Sequence, residues 1–439
     1  MDDPRQQFLD GIDSPEMRRL RSLAAPCVWT ERMLTTLDHG VRGGKWHSLS
    51  DKVWKPENLR AAFARVHRND GAAGVDRVTC EQFAARLDLH LGWLERMLRE
   101  NRYVPQAVQR TWIPKPGRRE KRPLGIPTVR DRTVQGALRN VLEPIFEHAF
   151  AEHSYGFRPG RGCKEALRRV AQLLSTGHTW VLDADLKSYF DTIPHDRLLA
   201  QVGRKVSDRR LLSLIEAYLK QPILDELKEW TPEEGTPQGA VLSPLLANIY
   251  LDPLDHLMAD AGFEMVRYAD DFVILCRTQA DAERALALVR QWTDSAGLIL
   301  HPDKTRLVDA AERGGFDFLG YHFERGLHWP SKKAQSQLRD RLRPLTKRNN
   351  GHSLETMVSR LNPVLSGWFE YFKHGRPYDL PRLDGWLRVR LRSILRRRHQ
   401  RKGCGRGVDH FRWPNAFFAD LGLFSLAAAH GAVCQSARR

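Results

Sequence analysis

The sequence has no C-x-x-C pair among its six cysteines (Cys27, Cys80, Cys163, Cys276, Cys404 and Cys434), which removes the usual zinc-finger signature. It also has no uncharged apolar run of the about 18 residues a membrane helix needs. The best candidate, Gly239 to Leu251, is closed by Asp252 and Asp255. The opening residues, Met1-Asp2-Asp3-Pro4-Arg5, supply neither a basic n-region nor an apolar h-region. No secretory signal is therefore expected, and the expectation is a soluble, cytoplasmic protein without disulfides. A repeat of the solenoid kind is missing too. Acid is the scarcer charge: 53 aspartates and glutamates face 70 lysines and arginines, for a net charge of +17 and a pI near 9.9. Such an excess points to a polyanionic partner, either nucleic acid or an anionic membrane surface. Hydrophobic residues make up 41% and aromatics 9%, with twelve tryptophans, which excludes a disordered basic tail. At about 150 residues per domain, 439 residues allow roughly three lobes.

Along the chain, residues 1 to about 50 mix charge with Gly43-Gly44 and little periodicity, and read as an extension without a functional centre. From Pro56 to Arg102 apolar residues recur at helical spacing around an Asn69-Asp70-Gly71 turn. Trp112 to Pro127 reads as two short strands with a basic hairpin tip, and helical spacing returns from Asp131 to Phe150. The period then changes. Over Trp180 to Asp191, Asp183 and Asp185 fall on one strand face, opposite Leu182 and Ala184. Helices are predicted over Asp196–Leu219, Ser243–Ala261 and Ala280–Ala296, a hairpin over Phe263–Cys276, and strands at Thr305–Asp309 and Phe316–Phe323. Beyond Trp329 the chain is helical and basic, with ten lysines and arginines against one acid, Asp384, between Pro381 and Arg406.

The candidate site is Tyr268-Ala269-Asp270-Asp271, set between the apolar arms Met265-Val266 and Phe272-Val273-Ile274-Leu275. A hairpin of this kind presents adjacent carboxylates at its tip. That tip carries no glycine, the residue tight hairpins usually recruit for positive φ. Asp183 and Asp185 offer a second acidic strand. Carboxylates converging from separate strands repel unless a cation lies between them, and oxygen-only ligation suits magnesium or manganese. Two such ions about 4 Å apart serve in-line phosphoryl transfer, chemistry that fits the basic composition.

Several motifs in order carry a family resemblance: Arg122-Pro123-Leu124-Gly125-Ile126-Pro127, Asp185-Leu186-Lys187-Ser188-Tyr189-Phe190-Asp191, Thr236-Pro237-Gln238-Gly239, Tyr268-Ala269-Asp270-Asp271 and Phe318-Leu319-Gly320-Tyr321. Together they resemble a reverse transcriptase. More narrowly, Tyr155-Gly156-Phe157-Arg158-Pro159-Gly160-Arg161 and Leu365-Ser366-Gly367-Trp368-Phe369-Glu370-Tyr371-Phe372 resemble the group II intron-encoded reverse transcriptase/maturase family, from about residue 55 to the end of the chain. Independent matches in the right order are far more specific than any single one.

The resemblance implies an α+β right-hand polymerase. It divides the chain into an N-terminal extension (1–54), fingers (55–175), a palm with an antiparallel sheet (176–328) and a helical thumb or maturase domain (329–439). It implies that Asp185, Asp270 and Asp271 bind two Mg2+ ions, with Mn2+ as a substitute, while Asp183 supports or is solvated. Lys304 resembles the lysine that protonates pyrophosphate. Lys115 and Arg122 resemble the residues that grip the triphosphate. Phe190 resembles the steric gate that selects deoxynucleotides, and Gln238 and Gly239 resemble the segment contacting nucleotide and template. Most rings of Trp368, Phe369, Tyr371 and Phe372 are expected in the core. Arg388, Arg392, Arg396, Arg397 and Arg398 belong to a run read as a phosphate-tracking surface.

The implied partners are intron and template RNA, a DNA primer or target and deoxynucleoside triphosphates, with no membrane and no stated oligomeric state. Larger family members add an endonuclease with paired cysteines. This sequence stops at Arg439 without one, so target-DNA cleavage is not expected. Three activities compete: a polymerase that is also a maturase, a splicing cofactor that uses the fold only to hold RNA, and a reverse transcriptase serving defence or repair. The complete set of acids favours the first over the second.

Overall fold

The computed structural model describes residues 15–114, 121–403 and 405–436. They form two compact units, the first covering residues up to 113 and 121–307, the second residue 114 and those from 308.

The first unit begins with α1 (Pro15–Leu23), α2 (Glu31–His39), α3 (Ser50–Val53), α4 (Pro56–Asn69), α5 (Cys80–Ala84) and α6 (Leu87–Arg99). There follow β1 (Val108–Pro114), β2 (Lys121–Ile126), α7 (Val129–Glu147), α8 (Cys163–Ser175), β3 (Trp180–Asp185), α9 (His195–Gly203), α10 (Arg209–Leu219), β4 (Ile223–Asp225) and β5 (Lys228–Trp230). It closes with α11 (Ser243–Asp260), β6 (Glu264–Tyr268), β7 (Asp271–Cys276), α12 (Gln279–Ala296) and β8 (Arg306–Asp309), within which the division between the units falls.

The segment expected as an arm is instead part of the core. Met17, Leu20, Val28, Trp29, Leu34, Leu37 and Leu49 are buried in the same apolar cluster as the central sheet. Trp29 donates its indole N–H to the Asn140 carbonyl at 3.0 Å, and Asp208 accepts from the Leu49 and Ser50 amides at 2.9 and 2.8 Å. The signal was short: the apolar residues span only two-turn helices, too few for a period to show.

Two four-stranded sheets lie in this unit, in the orders β2-β1-β4-β5 and β6-β7-β3-β8. The second is the core sheet. Val181, Leu182, Val266, Val273 and Ile274 in it are fully buried, each worth about 1.5–3 kcal/mol of apolar transfer. Helix α11 is buried over Leu245–Leu251 and again at Leu254, Asp255 and Met258, so the best membrane-run candidate of the sequence belongs to a core helix. Among the described residues no helix is long and apolar enough to cross a membrane.

The second unit contains β9 (Phe316–Phe318), β10 (Tyr321–Glu324) and β11 (Leu327–Pro330), then α13 (Lys332–Leu345), α14 (Leu354–Phe372), α15 (Leu380–Arg398), α16 (Asp409–Arg412), α17 (Asn415–Asp420) and α18 (Leu426–Ser436). Its sheet has the order β11-β10-β9. The division into units falls at 307/308, and within the second unit this sheet packs on α14. Tyr321 lies 4.9 Å from Phe372 ring to ring, donates its hydroxyl to the Tyr371 carbonyl at 2.7 Å, and Tyr371 donates to the Leu319 carbonyl at 2.8 Å. Phe369 and Phe372 are buried.

Candidate active site

β6 and β7 pair antiparallel from Glu264↔Leu275 to Tyr268↔Asp271, leaving Ala269 and Asp270 as a two-residue turn. Such turns need positive φ, and Ala269 supplies it at φ 60° without a glycine. On the other side of β7, the antiparallel register with β3 places Asp185 opposite Asp271. Pairing alone therefore gathers Asp185, Asp270 and Asp271 at one end of the sheet. Asp183 sits two residues back, opposite Val273.

The acids feel one another. Asp271 is pushed up to about 7, by burial first and then by the negative charges of Asp270, Asp185 and Asp183. Asp270 is raised by burial and by Asp185, opposed by Lys304 and Arg267. Lys304 forms an ion pair with Asp185, and Arg306 pairs with Asp183 at 3.1 Å. Among the described residues no three ligands are yet drawn into a single coordination sphere, and the Lys304 ammonium takes an oxygen that Asp185 would offer a metal. Crowded, oxygen-only ligands that favour one another's protonation fit a hard divalent cation, which removes that repulsion.

Five residues after Asp185, Phe190 is half-buried, its ring 6.2 Å from Phe157 and 5.6 Å from Tyr189, edge-on to both. The Thr236 amide donates to the Phe190 carbonyl at 2.6 Å, tying the Thr236-Pro237-Gln238-Gly239 segment to the gate candidate. Gln238 and Pro237 help line a cavity of about 430 Å³ with Arg110, Gly125, Asp191 and Trp230. Gly239 adopts φ +107°, and a Cβ there would lie 2.5 Å from the Gly125 carbonyl oxygen. The close approach this glycine permits is thus to β2 of its own chain. Arg122 is exposed on β2, and Lys115 lies outside the described residues.

Residues 113–323 match a family described as reverse transcriptase (RNA-dependent DNA polymerase), and residues 335–413 match the group II intron maturase-specific domain. The chain belongs to the group II intron reverse transcriptase/maturase family. Protein YkfC of Escherichia coli K12 is 35% identical over 314 residues, 62% of this chain and 82% of YkfC. The group II intron-encoded protein LtrA of Lactococcus lactis is 36% identical over 203 residues, 46% of this chain and 33% of LtrA. This chain therefore spans about a third of LtrA. A chain in a partial Cas6-RT-Cas1–Cas2 complex is 27% identical, with a TM-score of 0.37, covering 57% of this chain and 42% of that one. The fold of this group II intron reverse transcriptase/maturase is α+β, of the right-hand polymerase type, and its polymerase domain implies dependence on a divalent metal.

In the maturase domain the basic run divides. Arg392 is only 1% exposed, which corrects its assignment to a phosphate-tracking surface. Its Nε donates to the Trp413 carbonyl and its Nη2 to Asn415 Oδ1, both at 2.8 Å, and its guanidinium lies over the Phe418 ring. Arg396 is likewise engaged internally, with Asp409 at 2.8 Å and the Lys402 carbonyl at 2.6 Å. Arg388 is half-buried, while Arg397 and Arg398 are exposed. The lone acid of the run, Asp384, is buried and accepts the Leu426 and Ala427 amides at 3.0 and 3.1 Å, capping the start of α18. Arginine density misled because helical spacing turns every third or fourth residue of α15 inward.

Four residues of this reverse transcriptase/maturase escaped the motif reading as site elements: Arg267, Asp255, Asn248 and Gly156. Arg267 is fully buried and bonds to Asp255, to Asn248 and to the Ala269 carbonyl in the turn. The available signal was a charged residue inside the apolar arm Met265-Val266-Arg267-Tyr268.

Proposed function

We propose that this chain extends a primer 3′ end with deoxynucleotides on an RNA template, and that its C-terminal unit holds group II intron RNA as a maturase in splicing and mobility. The observation that carries the reading is the register that sets Asp185 opposite Asp271 with Asp270 in the adjoining turn. In this reading the fingers (55–175) and the palm (176–328) precede a thumb or maturase domain (329–439), which lies within the second compact unit.

Asp185, Asp270 and Asp271 would hold two Mg2+ ions, which Mn2+ could replace. When bound, such ions lower the pKa of an attacking hydroxyl and stabilise charge on the leaving phosphate. The chain's own side chains supply the rest. Lys304 stands on Asp185, within reach of the same centre, and offers a proton to departing pyrophosphate. Phe190 presents an aromatic wall against a 2′-hydroxyl. Gln238 contacts the incoming nucleotide, with its segment fixed by the Gly125 amide donating to the Gln238 carbonyl at 2.6 Å. Lys115 and Arg122 bind the triphosphate, a planar guanidinium being suited to paired phosphate oxygens. Arg397 and Arg398 contact RNA phosphates.

Primer extension on an RNA template tests the reading. Asp270→Ala with Asp271→Ala is expected to abolish DNA synthesis while intron RNA binding persists. Unchanged extension by this double variant overturns it.

A further inference from the structure

Ala269 holds a left-handed conformation at φ 60°, which is strained for a non-glycine residue and persists only where its surroundings enforce it. Two contacts do so. On one side, Gly156 lies directly against the turn: a Cβ on it would stand 2.2 Å from the Ala269 nitrogen. On the other, Arg267 Nη1 donates to the Ala269 carbonyl at 2.9 Å.

Arg267 spends its remaining donors on groups that are themselves buried. Its Nε donates to Asp255 Oδ1 at 2.7 Å, and its Nη2 bonds to the second oxygen of the same carboxylate. Nη1 also donates to Asn248 Oδ1 at 3.0 Å. Asn248 then donates its Nδ2 to the Gly156 carbonyl at 2.8 Å, so a single amide joins the two clamps on the turn. The backbone repeats the connection: the Arg267 amide donates to the His153 carbonyl at 3.0 Å, and the Tyr155 amide to the Arg267 carbonyl at 2.8 Å. Asn248 and Asp255 lie seven residues, or about two turns, apart on α11, and both are buried.

A buried ion pair is seldom more stabilising than an apolar pair of the same volume. What this one supplies is direction, since the planar guanidinium fork fixes the four acceptor oxygens of three residues relative to one another. We propose that Arg267, Asp255 and Asn248 form a positioning triad that locks the Ala269-Asp270 turn, with Gly156 as its opposing wall, and so sets the spacing at which Asp270 and Asp271 meet divalent cations. None of the three touches the reacting atoms. The proposal rests on the polymerase reading of the acids but makes its own prediction about metal affinity.

The test compares the full-length chain with Arg267→Lys and with the pair Arg267→Met/Asp255→Leu, which removes both charges without stranding either. Three readouts are needed: Mn2+ binding to the protein alone by electron paramagnetic resonance, the thermal transition, and kcat and KM for deoxynucleotide in primer extension. Both variants are expected to unfold cooperatively, to bind Mn2+ about tenfold or more weakly, and to lose kcat about 10- to 100-fold with KM changed by less than about threefold. Wild-type Mn2+ affinity and kcat in the folded pair variant overturn the proposal. If that pair fails to fold, Arg267→Lys decides: an ammonium cannot serve Asp255, Asn248 and Ala269 together, so unchanged metal affinity there overturns it too. A wild-type chain that binds no Mn2+ also overturns it. A wild-type chain that binds Mn2+ but makes no DNA sinks the polymerase reading and leaves the triad standing on its metal result.

Discussion

Lys304 is ion-paired with Asp185, although the lysine lies in the segment ahead of β8 and the aspartate ends β3. The His301 amide, which donates to the Asp185 carbonyl at 2.8 Å, keeps the two segments in this register. The ammonium thus competes with a metal for one carboxylate oxygen. Lys304→Met is expected to lower the Mg2+ concentration giving half-maximal activity, because that competitor is gone, while kcat for nucleotide addition falls about 100-fold through loss of the proton donor. Single-turnover nucleotide addition across a Mg2+ titration checks both. Equal losses at every Mg2+ concentration, with no shift in midpoint, would contradict the competition.

Phe190, the gate candidate, and its neighbour Tyr189 differ in burial. The Phe190 ring meets Phe157 and Tyr189 edge-on, yet Tyr189 is the one that is buried, with its hydroxyl donated to the Ala247 carbonyl at 2.6 Å. Phe190→Val should leave Tyr189 in place and raise ribonucleotide use relative to deoxynucleotide by about tenfold or more. Competing incorporation of one nucleotide pair on a fixed template measures it. A variant that loses stability and gains no ribonucleotide use would identify Phe190 as packing alone.

Arginines of one helix should separate by phenotype. Arg392→Ala strands the Trp413 carbonyl and Asn415 in a buried setting and is expected to destabilise the second unit by about 2–4 kcal/mol. Arg397→Ala with Arg398→Ala should change stability by less than about 0.5 kcal/mol each. That pair should instead weaken RNA binding and reduce the slope of log affinity against log salt by about one per lost phosphate contact. Urea unfolding and salt-dependent filter binding read the two effects apart.

The same contrast shows what a sequence displays. The acids at 185, 270 and 271 were legible because strand alternation and hairpin spacing are local, and register then brings them together without further information. Arg267 was not legible, because its partners Asp255 and Asn248 lie on a different element, α11, and nothing local in either segment pairs them. A buried charge in a strand is visible only once the helix above it is placed. Arg392 failed in the opposite sense, since charge density says nothing of which helix face is covered. The N-terminal helices failed for want of length: two turns carry too few apolar positions to announce a core face.

His322 gives the second unit a pH dependence whose sign is fixed. Its Nδ1 lies 2.6 Å from Asp317 Oδ1 and its Nε2 3.6 Å from Glu324 Oε2. The bond to Asp317 raises its pKa above the ordinary histidine value, with burial opposing and Glu324 assisting. A raised folded-state pKa means that the stabilisation is complete below the unfolded value of about 6.5 and is lost as pH rises through the higher folded one. Asp317 is half exposed, so solvent screening keeps the effect below about 1 kcal/mol. Urea midpoints measured between about pH 6 and about pH 8.5 should therefore fall with rising pH, and His322→Gln should flatten that decline. An unchanged slope in the variant would place the pH dependence on other groups.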